Sequence, residues 1–383
     1  MRRAWPSRTL AAMIALGVAN HMILSGGRVV VTLDAIHMGG SPALVGLLMA
    51  LFALLPMFLS VLAGRLVDRI GARRPMLWGS IGCVAAAALP AVWPALPALF
   101  IAASLAGLSF MMFQVPLQRV TGELSHGPAR ATNFSWLALG FSLSGFAGPL
   151  VAGFAIEGLG YRGAFALLAA SPIGAVLALA KGRVALPEVK RREAPATPVA
   201  TFDLLRNRDL RRVLALNALF ALGWDLHTVF VPLYGSQIGL SAIQIGAILS
   251  AFAAATIAVR LGLPLLATGT NEQKLLRASL VAAAGVYLAF PFVVDALALA
   301  VLSFVLGLGL GMGQPLLMSL LHDHAPEGRV GETVGMRMSM IQTMAVAVPL
   351  VFGTLGGTVG LLPMFWTVGL FLGGGGLYAR RPP

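Results

Sequence analysis

Four apolar stretches of this chain carry the side chains whose types and spacing could do chemistry. In 9–32, Gly17, His21, Ser25, Arg28 and Thr32 follow at steps of four, four, three and four, which stacks them on one face of a helix. That face should meet a water-filled cavity, because the rest of the helix is apolar. In 211–234, Asn217, Trp224 and His227 share a face, and Asp225 sits about 100° round from Trp224. In 97–119, Gly107, Met111, Gln114 and Gln118 run in register, and 296–320 repeats them as Gly307, Gly311, Gln314 and Met318. Ionisable groups inside a bilayer are costly, so each is a functional candidate.

Three chemistries fit these groups. Asp225 could take up a proton, with Arg28 tuning its affinity. The two could instead form a static buried pair. Arg28 could also receive an anionic ligand as a charged, forked donor. Histidine titrates near neutral pH, so His21 and His227 could relay protons, or could be plain hydrogen-bonding groups in a bundle. Ser25, Gln114, Gln118, Asn217, Trp224 and Gln314 complete the candidate cavity set; the glutamines offer hydrogen bonds to a substrate or to a neighbouring helix. Met111, Met112, Met312, Met318 and Met344 supply adaptable apolar contact, suited to a lipophilic cargo or to core filling. Asp34, Glu157 and Asp295 fall near helix ends, where solvation accounts for them. His322-Asp323-His324 has poor spacing for a metal on one helix face.

The elements that must position these groups follow from composition. The 383 residues are 58% hydrophobic and 11% charged, with mean hydropathy +0.87. Apolar runs of about twenty residues, long enough to cross a bilayer as helices, recur along the chain. Backbone in lipid must satisfy its own hydrogen bonds, and the runs lack the alternation of barrel strands, so they are helices. The expected spans are 9–32, 42–63, 76–93, 97–119, 133–157, 162–180, 211–234, 242–263, 275–294, 296–320, 333–355 and 360–378. Met1 to Ala19 could pass for a signal peptide, but apolar character resumes after Asn20-His21, so it reads as the first span.

The net charge of +13 reflects topology, not nucleic acid. Arg2, Arg3, Arg8, Arg69, Arg73, Arg74, Arg130, the 181–212 segment, Lys274, Arg277, Arg329, Arg380 and Arg381 fall in alternate connections, while the opposite set holds little but Arg162. Both termini and the middle loop are therefore expected in the cytoplasm. Residues 181–210, with Lys190-Arg191-Arg192 and the prolines of 194–198, read as a linker between an N-terminal six-helix bundle, 1–180, and a C-terminal one, 211–383. The halves match at a constant offset of 200: Ser41 with Ser241, Gly46 with Gly246, Gly107 with Gly307, Gln114 with Gln314, Pro149-Leu150 with Pro349-Leu350, Gly153 with Gly353 and Phe165 with Phe365. Two parallel repeats imply a pseudo-twofold axis along the membrane normal and a site near the midplane. Cys83 is the one cysteine, so no disulfide forms within the chain. No phosphate-binding loop, nucleophile elbow or dinucleotide fingerprint is present. The chain is expected to be no enzyme and to need no cofactor.

After the second span comes Gly64-Arg65-Leu66-Val67-Asp68-Arg69-Ile70-Gly71-Ala72-Arg73-Arg74. This resembles the signature of the major facilitator superfamily, G-x-L-x-D-R-x-G-R-[RK]-[RK], departing at Ala72. Gly145, Gly148, Pro149 and Gly153 resemble the G-x-x-x-G-P-x-x-G-G element of its proton-coupled exporters, with Ala152 in place of one glycine. The arginine that many such exporters carry in helix 4 is missing from 103–107. The resemblance implies an all-α membrane fold of twelve transmembrane helices in two bundles, with helices 1, 4, 7 and 10 lining the cavity. It implies that Gly64, Asp68, Arg69, Gly71, Arg73 and Arg74 form a gating loop, Asp68 meeting the start of helix 11 near Glu332. It also implies a small-molecule substrate, protons as coupling ion, the lipid bilayer as surroundings and a monomer. The expected function is proton-coupled export of lipophilic compounds from a bacterial inner membrane. Uptake of an organic anion or sugar, or a non-transporting receptor or scaffold, are the other readings.

Overall fold

Local signals set the helices, and their turns repeat at the same interval as the residues. A computed structural model describes residues 7–124, 129–184, 186, 205–266, 272–324 and 330–378. The side chains of Asp68, Gln314 and Glu332, and most of the linker, lie outside the described residues. The helices are α1 (Arg8–His37), α2 (Pro42–Ile70), α3 (Arg73–Val92), α4 (Leu96–Glu123), α5 (Ala129–Ala170), α6 (Ile173–Ala180), α7 (Arg208–Gln237), α8 (Ala242–Leu266), α9 (Glu272–Ala289), α10 (Ala296–His324), α11 (Val330–Val359) and α12 (Leu362–Tyr378).

Caps explain the starts. Ser7 Oγ accepts from Leu10 N at 3.2 Å, and Asn207, 200 residues on, accepts from Asp209 N and Leu210 N at 3.0 and 3.2 Å. Ser41 and Ser241 cap α2 and α8 in the same way, each accepting an amide at 3.3 Å. Left-handed glycines follow the same interval: Gly39 and Gly239 after α1 and α7, then Gly160 and Gly360. Gly160 (φ 69°, ψ 177°) interrupts α5, and Ser171-Pro172 separates α5 from α6. The expected gap between 157 and 162 is thus real, but 162–180 is not one unbroken helix. Proline at 172 lacks the amide that would continue the helix.

Among the described residues, ten stretches are long and apolar enough to cross a membrane; one runs over 133–180, including the break at Gly160. Leu362–Tyr378 is a shorter apolar helix. Large apolar side chains stand exposed, Phe58 at 66% and Phe154 at 57%, which lipid contact favours and water contact does not.

The chain forms two compact units. Unit 1 comprises Met1–Gly39, Leu51–Ala194 and Ser241–Gly246, and unit 2 comprises Gly40–Ala50, Pro195–Leu240 and Ala247–Pro383. The first turns of α2 and α8 are thus exchanged relative to a simple division at the linker. In unit 1, Met13, Met76, Phe113, Leu117 and Leu137 form a buried core. In unit 2, Phe290 and Phe365 stack at 5.1 Å, with Tyr234 edge-on to Phe365.

Lipid supplies no hydrophobic drive between helices, so close crossings at small residues do the packing. A Cβ on Gly107 would strike the Phe52 carbonyl, and one on Gly307 would strike the Phe252 carbonyl. In unit 2, Gly46 abuts the Pro349 carbonyl and Gly353; in unit 1, Gly246 abuts the Pro149 carbonyl and Gly153 meets Ala242. Each crossing appears twice, at the 200-residue interval.

Candidate functional site

In unit 1 the polar stripe of α1 lies against α5. His21 Nδ1 is 2.7 Å from Ser144 Oγ. That hydroxyl also lies 3.0 Å from the Phe141 carbonyl, to which it can donate. The geometry therefore favours a proton on His21 Nδ1, leaving Nε2 as acceptor. The imidazole sits between Phe110 and Phe141, 5.1 Å from each ring. Ser25 Oγ lies 2.8 Å from the Ser144 carbonyl and 3.1 Å from that of His21. A side chain at Gly148 would displace Ser25, and a Cβ on Gly26 would approach the Gly148 carbonyl to 2.8 Å. The serine and glycine of α5 make room for the α1 hydroxyl. Gly17 packs on Leu117, and Thr32 is buried. The stripe was expected on a water-filled cavity, but Gly17, His21 and Ser25 instead knit α1 to its neighbours. Arg28 holds its guanidinium 5.5 Å from the Phe52 ring, a cation–π contact.

Unit 2 carries a different set at the corresponding places. Phe252, 200 residues after Phe52, is stacked on His227 at 4.3 Å and 22°, and Trp224 meets it edge-on at 4.7 Å. His227 is 1% exposed, with Nε2 3.0 Å from the buried Ser303 hydroxyl. Tyr287 donates to the Gly223 carbonyl beside it. In unit 1 the equivalents of His227 and Tyr287 are Gly27 and Ala87, and these line a small apolar cavity with Phe52, Ala106 and Phe165. Trp224 is 36% exposed, and Asp225 is half-buried. Asn217 is buried and accepts a hydrogen bond from Arg337 Nε at 2.8 Å.

Arg337, 2% exposed on α11, is a cation inside the expected 333–355 span and belongs to none of the candidate groups named from the sequence. The signal was available: a cation within an apolar helix. Solvation does not account for Glu157, whose Oε1 accepts from Ile243 N at 2.7 Å. Ser144 was also missed; serine is too common in such helices to stand out.

The remaining candidates are placed as follows. Gln114 and Gln118 are half-buried on α4, and the side chain of Gln314 lies outside the described residues. In the loop between α2 and α3, Gly71 has φ 84°, which suits glycine. Arg69 and Arg74 are exposed. Arg73 Nη2 donates to the Val184 carbonyl at 3.0 Å, tying this loop to the segment after α6. Among the described residues nothing comes within 4 Å of a Cβ built on Gly64 or Gly145. Asp68 and Glu332 have side chains outside the described residues. Pro149 and Gly153 form the crossing with the start of α8 described above. His324 donates within its own helix, from Nδ1–H to the Leu320 carbonyl at 2.7 Å. Among the described residues, no group of three His, Cys, Asp or Glu could hold a metal.

The family model described as Major Facilitator Superfamily matches residues 10–349. Among solved structures, the chain is similar to a crystal structure of a mutant of the peptide transporter POT in complex with sulfate. The TM-score is 0.80 at 16% identity, covering 97% of this chain and 93% of that one. At that identity the likeness is one of fold.

Proposed function

From the premise that this chain belongs to the major facilitator superfamily, and so is a membrane transporter and not an enzyme, we propose that it is a secondary transporter exporting small lipophilic compounds in exchange for protons. Twelve crossings, two bundles on a pseudo-twofold axis, and cytoplasmic termini in a bacterial inner membrane belong to this proposal.

The observation that carries the transport reading is the pair of small-residue crossings, Gly46 on Pro349 and Gly353, and Gly246 on Pro149 with Gly153 on Ala242. At these glycines backbone lies directly on backbone, with no side chain of their own to withdraw. Such crossings can part and reform at low cost, which alternating access demands. Proton coupling rests on Asp225, the half-buried acid of α7. His227 suits a structural part better, being enclosed by Phe252 and Ser303. His21, half-buried with Nε2 left as acceptor, is the better histidine for a proton path. Trp224, exposed beside Asp225, offers an aromatic face to a lipophilic cargo.

Uptake of an organic anion is a second reading, favoured by Arg28 and by the likeness to a peptide transporter in complex with sulfate. Purified protein in liposomes with an imposed pH gradient separates the two. Export predicts that lipophilic cargo moves against an inward proton flow; uptake predicts that an anionic cargo accumulates with it. Asp225→Asn is expected to abolish proton-driven flux and spare counterflow. Equal loss of both would remove Asp225 from coupling.

A further inference from the structure

Glu157 stands apart from the repeat. Its position 200 residues on is Gly357, so the equivalent crossing has no acid at that position. The carboxylate of Glu157 reaches from α5 to the first turn of α8. Its Oε1 accepts the Ile243 amide at 2.7 Å, and the Ser241 hydroxyl donates to it as well. The Ile243 amide is one that a helix start leaves without an intrahelical partner, at the end where the helix dipole favours an anion. The rest of that turn is already capped: Ser241 N donates to Gln244 Oε1 at 2.9 Å, and Gln244 N donates to Ser241 Oγ at 3.3 Å. Glu157 is therefore not needed to complete the helix. It adds a charged bond across a crossing that is otherwise backbone on backbone, where Gly153 faces the Ala242 carbonyl at 2.5 Å from its would-be Cβ and Gly246 faces Pro149.

The equivalent crossing in unit 2 lacks this bond. Ser41 caps α2 with a bond to Leu44 N, leucine replaces Gln244, and Gly357 brings only backbone near Ala43. Glu157 also lies 28 residues beyond the start of α5, some 42 Å along the helix at 1.5 Å per residue. That places it at the far end of α5 from the connection between α4 and α5. Asp68 is in the last turn of α2, on the side of the α4–α5 connection by the alternation of spans and so opposite Glu157.

We propose that Glu157 is a latch residue that holds the first turn of α8 on α5. It is the counterpart, at the opposite end of the helices, of the acid-on-helix contact that the family resemblance assigns to Asp68. Rest it does on the alternating-access reading above, but it concerns which state is held, not what is carried. The family resemblance sets one such carboxylate, Asp68, at one end, and Glu157 supplies a second on a helix start at the other, so opening that end includes breaking the bond to Ile243 N.

The test uses a single cysteine as reporter. Leu150 lies under the crossing, its Cα 3.5 Å from a Cβ built on Gly246. Leu150→Cys is made in a Cys83→Ala background, and its rate of modification by a maleimide is followed on detergent-solubilised full-length protein. Glu157→Ala is expected to raise that rate roughly two- to fivefold, the range for a charge at a helix start. Glu157→Gln, which keeps an acceptor oxygen, should raise it less, and serves if Glu157→Ala fails to accumulate. Asp295→Ala is the control: Asp295 Oδ2 caps α10 locally, accepting from Ala298 N at 2.8 Å, and its loss should leave the rate unchanged. An unchanged rate in both Glu157 variants, or an equal rise in Asp295→Ala, overturns the latch. A raised rate in protein that moves no cargo under any gradient supports the latch and sinks the transport reading instead.

Discussion

Removing Asn217 leaves the Arg337 guanidinium buried at 2% exposure without its hydrogen-bond acceptor at 2.8 Å. A hydrogen bond to a charged group contributes about 1.5–3 kcal/mol, so Asn217→Ala should destabilise by about that much. Arg337→Leu removes the cation but strands both polar ends of buried Asn217; its Nδ2 already has no partner among the described residues. That costs about 1–3 kcal/mol, partly offset by not burying a charge. The double variant should be close to the parent, because the first half shows the apolar solution: Gly17 and Leu137 occupy the equivalent positions, and Leu137 is buried in a packed core. With the double near the parent, the coupling equals the two single costs together, about 2.5–6 kcal/mol less the charge offset, well above the ~0.6 kcal/mol average for hydrogen bonds between membrane helices. Unfolding of the purified protein in denaturing detergent, for the parent, both singles and the double, measures it. Additivity within about 0.5 kcal/mol would refute the argument that this pair is one energetic unit. Liposome flux on the double variant adds a second readout: full activity assigns the pair to stability alone, and folded but inactive protein gives Arg337 a part in transport.

Three further outcomes are expected. Gly71→Ala places a Cβ at φ 84° and should cost about 1–2 kcal/mol, read as a lowered melting temperature; an unchanged value would mean the turn relaxes freely. Arg73→Ala frees the Val184 carbonyl, so limited trypsin digestion should cut after Lys181 and Arg183 faster than in the parent, and an equal rate would remove Arg73 as the tie. His227→Phe keeps the stack on Phe252 but strands the buried Ser303 hydroxyl, costing about 1–3 kcal/mol while sparing proton-driven flux; loss of flux at unchanged stability would restore the histidine to the proton path.

Helix existence was legible because it depends on local quantities. Apolar runs of bilayer length, caps at Ser7, Asn207, Ser41 and Ser241, and glycines at 39, 160, 239 and 360 act within a few residues of themselves. The family was legible for the same reason: the Gly64 to Arg74 loop is contiguous. Even the repeat could be found by subtraction, and its interval recurs in caps, left-handed glycines and crossings.

Which neighbour each face meets was decided only in three dimensions. Helical periodicity showed that Gly17, His21 and Ser25 share a side; it could not show that Ser144 and Gly148 of α5, more than a hundred residues away, leave a slot of the right depth there. Glu157 shows the same limit, since a carboxylate near a helix end reads as solvated until another helix start is brought to 2.7 Å. Sequence alone determined the helices, their order and their doubling, because hydropathy and backbone hydrogen bonding act along the chain. Tertiary structure alone decided that His227 is walled in by Phe252 and Ser303 while its counterpart Gly27 borders a cavity, because packing depends on volumes contributed by residues far apart in the chain.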